Sequence, residues 1–222
     1  MTAPPSPRRA LPRGPHSLSR EEVARSQRDR LLAAFTELLA ERGFAAVTIG
    51  ELAKRAAVSR AAFYEHFADK TACLNAAYAQ FAENLVAAMT PPDLETMSWD
   101  GFVEHALGGY LRAIEADTVA ARAFIIEMDA AGPDARQRRN NEAHVFARMF
   151  GDRHEALLAE RGSGTRFPEP VYLAITLGVR ELVRETLINE ENPRVTALMD
   201  DIVTTITALV EGPGAAQARI RG

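Results

Sequence analysis

The sequence has a single cysteine, Cys73, and no apolar run long enough to cross a bilayer. A disulfide within the chain and a zinc site built from several thiolates are therefore excluded, because both require more than one cysteine. A transmembrane helix needs roughly 20 consecutive apolar residues, which the chain does not contain. Residues 1–18 are rich in proline and arginine but lack the apolar stretch of a signal peptide. Together these absences favour a cytoplasmic protein.

Patterns typical of enzymes and metal sites are missing as well. The five histidines show no spacing typical of a zinc protease or a comparable metal site. Ser163 lies in a Gly-Ser-Gly segment that resembles a hydrolase nucleophile turn, but no strand-like segment precedes it. An all-α enzyme would need converging polar groups that the sequence does not offer. We therefore predict no catalytic residue, no metal and no cofactor.

Charge is unevenly distributed along the 222 residues, whose formal net charge is −4. Residues 1–70 hold 12 Lys and Arg against 8 Asp and Glu, a balance of +4, and residues 71–222 have a balance of −8. A basic unit beside an acidic body is typical of a nucleic-acid-binding head joined to another domain. An excess of four charges is small, however, and a solvated surface could also produce it.

Helical periodicity runs along almost the whole chain, and no segment shows the sustained alternation of a strand. Glycine and proline residues divide the pattern into about nine helices, so we predict an all-α fold. The predicted segments are 19–42, two short helices within 48–67, 69–89, 98–116, 118–131, a long helix that contains residues 136–150 and continues to about 161, 169–190 and 194–211.

The most specific pattern is TIGELAKRAAVSRAAFYEHFADK, at residues 48–70. Thr48 and Glu51 have the spacing of a capping box, in which each residue bonds to the other's amide. Phe63 and Phe67 lie four residues apart and indicate the buried side of a later helix. The pattern predicts two short helices joined by a tight turn, the second of a size that fits a DNA major groove. A helical hairpin inside an ordinary bundle is the alternative.

This segment resembles the DNA-binding motif of the tetracycline-repressor (TetR) family of transcriptional regulators. Two residues, Ala57 and Ala61, stand where the family usually has glycine. A left-handed conformation at Ala57 would cost roughly 1–2 kcal/mol, and the methyl group of Ala61 would lie close to DNA. The residues that match the family pattern are Thr48, Ile49, Leu52, Ala53, Ala56, Val58, Ser59, Ala62, Phe63, Tyr64, His66, Phe67 and Lys70.

Side-chain chemistry and the resemblance together give a set of candidate DNA contacts. Arg60 opens the second motif helix and is the candidate for reading guanine, to which arginine donates two hydrogen bonds. A phosphate contact or a solvated arginine is the alternative. Thr48, Tyr64, His66 and Lys70 are assigned to phosphates. The full set is Thr48, Ser59, Arg60, Ala61, Tyr64, His66 and Lys70.

Aromatic and methionine side chains are concentrated in residues 99–150. Core packing is the ordinary explanation for their helical spacing, but ligand sites between helices commonly have such linings. The resemblance implies an effector cavity in this region. The candidate lining residues are Phe102, His105, Tyr110, Phe124, Met128, Phe146 and Met149.

The last two predicted helices are apolar over much of their circumference, which requires cover on more than one side. A two-fold partner would provide that cover through a four-helix bundle between two chains. The candidate interface residues are Leu173, Leu177, Leu187, Leu198, Ile202, Ile206 and Leu209.

We therefore expect a helix-turn-helix head of three helices at residues 19–70 and an effector-binding and dimerisation domain at 71–212. A disordered arm at 1–18 and a tail at 213–222 flank them. The resemblance implies a homodimeric repressor that binds a pseudo-palindromic operator in double-stranded DNA and responds to an apolar or amphipathic small molecule. A helical small-molecule-binding protein without specific DNA recognition is the alternative.

Overall fold

A computed structural model describes residues 19–93, 97–162 and 166–211. These residues form nine α-helices and no strand, which confirms the predicted all-α fold. No helix in these ranges combines the length and apolarity needed to span a membrane. The helices are α1 (Arg20–Ala46), α2 (Ile49–Arg55), α3 (Arg60–His66), α4 (Lys70–Met89), α5 (Trp99–Ala116), α6 (Thr118–Ala121), α7 (Pro133–Arg161), α8 (Glu169–Asn189) and α9 (Met199–Glu211). The predicted arm, the tail and Ser163 lie outside the described residues.

Side-chain caps fix where several helices begin. Ser19 and Glu22 form a full capping box: the Ser19 amide donates to Glu22 Oε2 at 2.7 Å, and the Glu22 amide donates to Ser19 Oγ at 3.2 Å. The Asp69 carboxylate accepts from the Ala72 amide at 2.7 Å, and the Ser98 hydroxyl accepts from the Gly101 amide at 3.2 Å. Each cap satisfies an amide that has no partner within its helix. The predicted starts of α1, α4 and α5 are confirmed.

Gly43 interrupts the helical path of α1 near its C-terminal end. Its backbone has φ 72° and ψ 163°, a conformation almost restricted to glycine. A Cβ at Gly43 would also lie 2.9 Å from an oxygen of the Glu127 carboxylate. The glycine therefore breaks the regular helix where we predicted its end, although helical turns resume as far as Ala46.

The single helix predicted for residues 118–131 is wrong in its winding. Only α6 is α-helical; a π-helical segment, Arg122–Ile126, and a 3₁₀ segment, Glu127–Ala131, follow it. Arg139 of α7 provides a physical reason: its guanidinium donates to the Ile125 carbonyl at 3.1 Å and to the Asp129 carboxylate at 2.6 Å. These bonds stabilise an irregular path that helical periodicity alone cannot reveal.

Two hydrophobic clusters form the core. The first joins the N-terminal helices to the π-helical and 3₁₀ segments, because Leu31 and Phe35 pack in one cluster with Phe124 and Met128. Cys73 is fully buried in this cluster, and burial raises the pKa of its thiol to about 12. The second cluster lies between α5, the end of α4, and α7 to α9. Helix α4 contributes to both clusters, so packing is continuous across residue 70.

A buried polar pair joins α7 to α8. The Phe167 amide donates to the Tyr172 hydroxyl at 3.1 Å, and that hydroxyl lies 2.6 Å from His154 Nδ1. Burial lowers the pKa of His154, and the positive charges of Arg161 and Arg166 lower it further. A neutral His154 that accepts the tyrosine proton at Nδ1 satisfies these contacts. The pair fixes the start of α8 against α7.

Candidate DNA-binding surface and ligand cavity

Helix α2 begins at the cap predicted for Thr48. The Glu51 amide donates to Thr48 Oγ1 at 3.3 Å, and the Thr48 hydroxyl donates back to the Glu51 carboxylate at 2.9 Å. Arg42 also donates to this carboxylate, at 2.7 Å. The hydrogen bond from Thr48 is the main cause of a lowered pKa at Glu51. Thr48 is thus exposed but already occupied as a helix cap.

The turn after α2 has the hydrogen bonds of a Schellman motif. The Val58 amide donates to the Ala53 carbonyl at 2.9 Å, and the Ala57 amide donates to the Lys54 carbonyl at 3.2 Å. This motif places Ala57 in the left-handed region, with φ 54°. The alanine therefore adopts the conformation for which the family pattern has glycine, and the turn bears the strain.

Arg30 of α1 stabilises this turn from outside the motif. Its Nη1 donates to the Ala56 carbonyl at 2.7 Å and to the Ala57 carbonyl at 3.1 Å. Carbonyls at the end of a short helix otherwise need water or a cap. No local pattern points to Arg30, because it lies 26 positions before the turn.

Replacing Ala57 with glycine should raise the free energy of unfolding by about 1 kcal/mol, because glycine adopts positive φ without steric cost. The measurement is chemical denaturation followed by circular dichroism. Ala33, an exposed residue within α1, provides the control. Its replacement by glycine should lower stability by about 1 kcal/mol, the ordinary cost of glycine in a helix. The same sign for both substitutions would contradict a strained turn.

Helix α3 presents one face to solvent. Ser59 caps it by accepting from the Ala62 amide at 3.0 Å, which confirms the predicted N-cap. Phe63 is fully buried and Arg60 is exposed. Tyr64 is 52% exposed, with its ring edge-to-face against Phe63. Within the described residues the Arg60 guanidinium forms no hydrogen bond or ion pair, so it is free to meet a ligand outside the chain.

Two further predicted phosphate contacts, Lys70 and His66, also have partners inside the protein. Lys70 Nζ donates to the Phe44 carbonyl at 3.0 Å and to the Val47 carbonyl at 3.2 Å, and it lies 4.3 Å from the centroid of the Phe44 ring. His66 Nε2 lies 3.3 Å from the Gln27 side-chain oxygen. The structure thus assigns Lys70 to the end of α1. These bonds use two of its three N–H donors, so its phosphate contact stays a prediction.

A narrow apolar cavity of about 80 Å³ lies between α4, α5, α7, α8 and the π-helical segment. Four polar or charged side chains, Arg139, Glu142, Thr176 and Arg180, reach its wall. Burial raises the pKa of both Tyr78 and Tyr110, which keeps their hydroxyls neutral. The apolar lining consists of Tyr78, Phe81, Leu85, Met89, Leu107, Tyr110, Phe124, Ile125, Ala143, Phe146, Phe150, Ile175, Val179 and Ile206.

Three of the seven predicted ligand residues, Tyr110, Phe124 and Phe146, line this cavity. The other four lie elsewhere. Phe102 and Met128 are fully buried in the second and first clusters, Met149 borders a separate groove on α7, and His105 is half-buried away from the lining. The sequence identified the region, but helical spacing could not separate residues that fill the core from residues that line a void.

The predicted dimer residues divide into buried and accessible groups. Leu187, Ile202 and Ile206 are at most 5% exposed and pack inside the second cluster, so assigning them to an interface was wrong. Their apolar stripes are covered by α5 and the other helices of the same chain. Leu198 is half-buried against that cluster. Of the predicted set, Leu173 and Leu177 are half-buried and Leu209 is 51% exposed.

The helix-turn-helix segment has a recognisable counterpart among known families. Residues 31–77 match the family of bacterial regulatory proteins named tetR. Over this range the chain thus resembles the DNA-binding segment of tetR-family regulators. The matched range contains most of α1, all of α2 and α3, and the start of α4. These four segments pack together in the first hydrophobic cluster. No curated relative matches the chain.

Solved structures resemble this chain over most of its length. FadR of Bacillus subtilis, in complex with stearoyl-CoA, is 17% identical with a TM-score of 0.68; the match covers 83% of this chain and 98% of FadR. GusR of Salmonella enterica is 19% identical with a TM-score of 0.69 and coverages of 88% and 100%. A transcriptional regulator of Aquifex aeolicus is 20% identical with a TM-score of 0.65 and coverages of 82% and 99%. At these identities the similarity shows a shared fold.

Proposed function

We propose that this tetR-family regulator is a ligand-responsive repressor that binds a pseudo-palindromic operator as a homodimer. The observation that carries the proposal is the accessible face of α3, where Arg60, Ala61 and Tyr64 lie exposed behind a Ser59 cap. A short capped helix of this kind fits a major groove with its N-terminal residues against the base edges. The unpaired Arg60 is suited to read guanine, whereas Tyr64, which is 52% exposed, is placed to meet a phosphate.

Dimerisation is supported by apolar residues that α8 and α9 leave uncovered. Leu182 and Ile188 of α8 and Leu209 of α9 are between 44% and 51% exposed. Ala174, Gly178 and Leu182 follow one another at four-residue spacing on the exposed side of α8. Small residues allow a symmetry-related helix to approach closely. A two-fold dimer would present two α3 helices about 34 Å apart, or a multiple of that spacing, on DNA.

A continuous path of contacts connects the cavity with the DNA-binding turn. Phe124 lines the cavity and belongs to the core cluster that contains Leu31 and Phe35 of α1. The same helix carries Arg30, which holds the turn before α3. A ligand that displaces Phe124 would therefore act on α1 and on the turn. The ligand lowers DNA affinity only to the extent that it binds the conformation that releases DNA more tightly than the conformation that binds DNA.

Arg60→Ala should weaken binding to the operator by roughly 1–3 kcal/mol and relax base preference at one position in each half-site. The DNA to test first is the region upstream of the protein's own gene, with a scrambled duplex for comparison, by fluorescence anisotropy. Lys54→Ala, which removes an exposed charge from α2, is the matched control. We expect it to change affinity for both duplexes by the same factor.

The alternative function is a helical small-molecule-binding protein without specific DNA recognition, which the alanine at position 61 keeps open. The intact protein decides between the two. A preference for the native duplex over the scrambled duplex supports the repressor. Equal, salt-sensitive binding to both duplexes would leave only the electrostatic attraction of a basic head and would refute specific regulation.

A further inference from the structure

The cavity contains one cation that has no partner of opposite charge. Arg180 of α8 lines the apolar space, and within the described residues its guanidinium forms no hydrogen bond or ion pair. Burial lowers the pKa of this arginine, and the nearby charge of Arg139 lowers it further. Placing a guanidinium without partners beside apolar walls is costly, because it loses hydration without compensation. Such a group is expected where a ligand supplies the missing partner.

The neighbouring Arg139 forms an ion pair through a terminal nitrogen, whereas Arg180 forms none within the described residues. Arg139 donates to the Asp129 carboxylate at 2.6 Å and to the Ile125 carbonyl at 3.1 Å. Arg184, one helical turn beyond Arg180, donates to both oxygens of Glu181, at distances of 2.8 to 3.0 Å. Arg139 and Arg180 both reach the cavity wall, and within the described residues Arg180 is the one of the two without an ion pair.

We propose that Arg180 binds the carboxylate of an amphipathic organic acid whose apolar tail lies against Phe81, Phe146 and Ile175. This inference rests on the proposed ligand-responsive function and names the chemical class of the effector. Arginine suits the role because its planar fork donates two parallel hydrogen bonds to one carboxylate. An anion there would also reduce the repulsion between Arg180 and Arg139.

Glu142 is the residue that argues for a different ligand. It lines the same cavity, and its negative charge acts on Tyr78. A cationic amphiphile would pair with Glu142 and would avoid Arg180. The carboxylate is favoured because Asp129 already pairs with Arg139, whereas no carboxylate of the described residues pairs with Arg180.

The test compares three ligands with the same tail and different heads: decanoate, decanol and decyltrimethylammonium. Isothermal titration of each into the full-length protein gives the dissociation constants. We expect decanoate to bind at least about tenfold more tightly than decanol, the factor that one charge-assisted hydrogen bond commonly supplies. Arg180→Gln should abolish this preference, while Arg184→Gln, one turn further along the helix and outside the cavity lining, should preserve it.

Three results would overturn the inference: equal binding of decanoate and decanol, tighter binding of decyltrimethylammonium, or a preference for decanoate that survives Arg180→Gln. Failure of decanoate to bind at all would also overturn it. Repeating the titration with upstream DNA present separates the site from the regulation. Arg180-dependent binding that leaves DNA affinity unchanged would support the site and contradict the ligand response. Sequence-specific DNA binding by a protein that does not bind decanoate would support the DNA-binding function and contradict the site.

Discussion

Gly109→Ala should destabilise the fold by about 3 kcal/mol or more, the upper end of the cost of overpacking a core. A Cβ on Gly109 of α5 would lie 1.9 Å from the Ala88 carbonyl oxygen of α4 and 2.7 Å from its carbon. Both atoms belong to the backbone, so no side-chain rotation relieves the clash. The two helices must separate, and the second cluster that spans them loses its packing. Urea denaturation followed by circular dichroism measures the loss.

The adjacent glycine provides a matched control on the same helix. A Cβ on Gly108 would meet only the side chain of Arg112, with Nη1 at 2.7 Å, and Arg112 is exposed and free to move. Gly108→Ala should therefore be neutral or stabilising by up to about 1 kcal/mol, the helix propensity of alanine relative to glycine. Equal losses at both positions would mean that the close crossing at Gly109 does not decide the packing of α4 on α5.

The sequence predicted the features that depend on residues close in the chain. Helix caps at Thr48, Ser59 and Asp69 involve partners three residues away, so a local pattern is sufficient to find them. Buried helix faces follow from a period of 3.6 residues in the same way. The head was the most predictable part, because its turn and both short helices lie within about 20 residues.

Features that depend on distant pairs could not be predicted. Arg30 reaches a turn 26 residues later, and Lys70 reaches the end of α1 from a similar separation. The sequence also cannot show that Arg180 lacks an ion pair, because this depends on Asp129 pairing with Arg139 and not with Arg180. Apolar patterns indicate that a helix face is covered, but they do not say whether the cover comes from the same chain or from a second one.

The largest effect expected for α9 therefore depends on which side of the helix is changed. Ile202 is 5% exposed and packs in the second cluster. Ile202→Asp would bury a charge without a partner, which should cost roughly 3–5 kcal/mol and unfold much of the protein. Leu209 is 51% exposed in the single chain, so Leu209→Asp should leave the fold of each chain intact.

In the proposed dimer the same Leu209→Asp substitution should be severe. A two-fold interface contains both copies of the changed residue, so each dimer carries two unpaired charges and loses two apolar contacts. Sedimentation velocity at micromolar concentration should show a dimer for the unmodified protein and a monomer with native helix content for Leu209→Asp. An unmodified protein that sediments as a monomer would refute the dimer and the two half-sites. A Leu209→Asp variant that stays dimeric would exclude Leu209 from the contact and favour the exposed side of α8, which carries Gly178, Leu182 and Ile188.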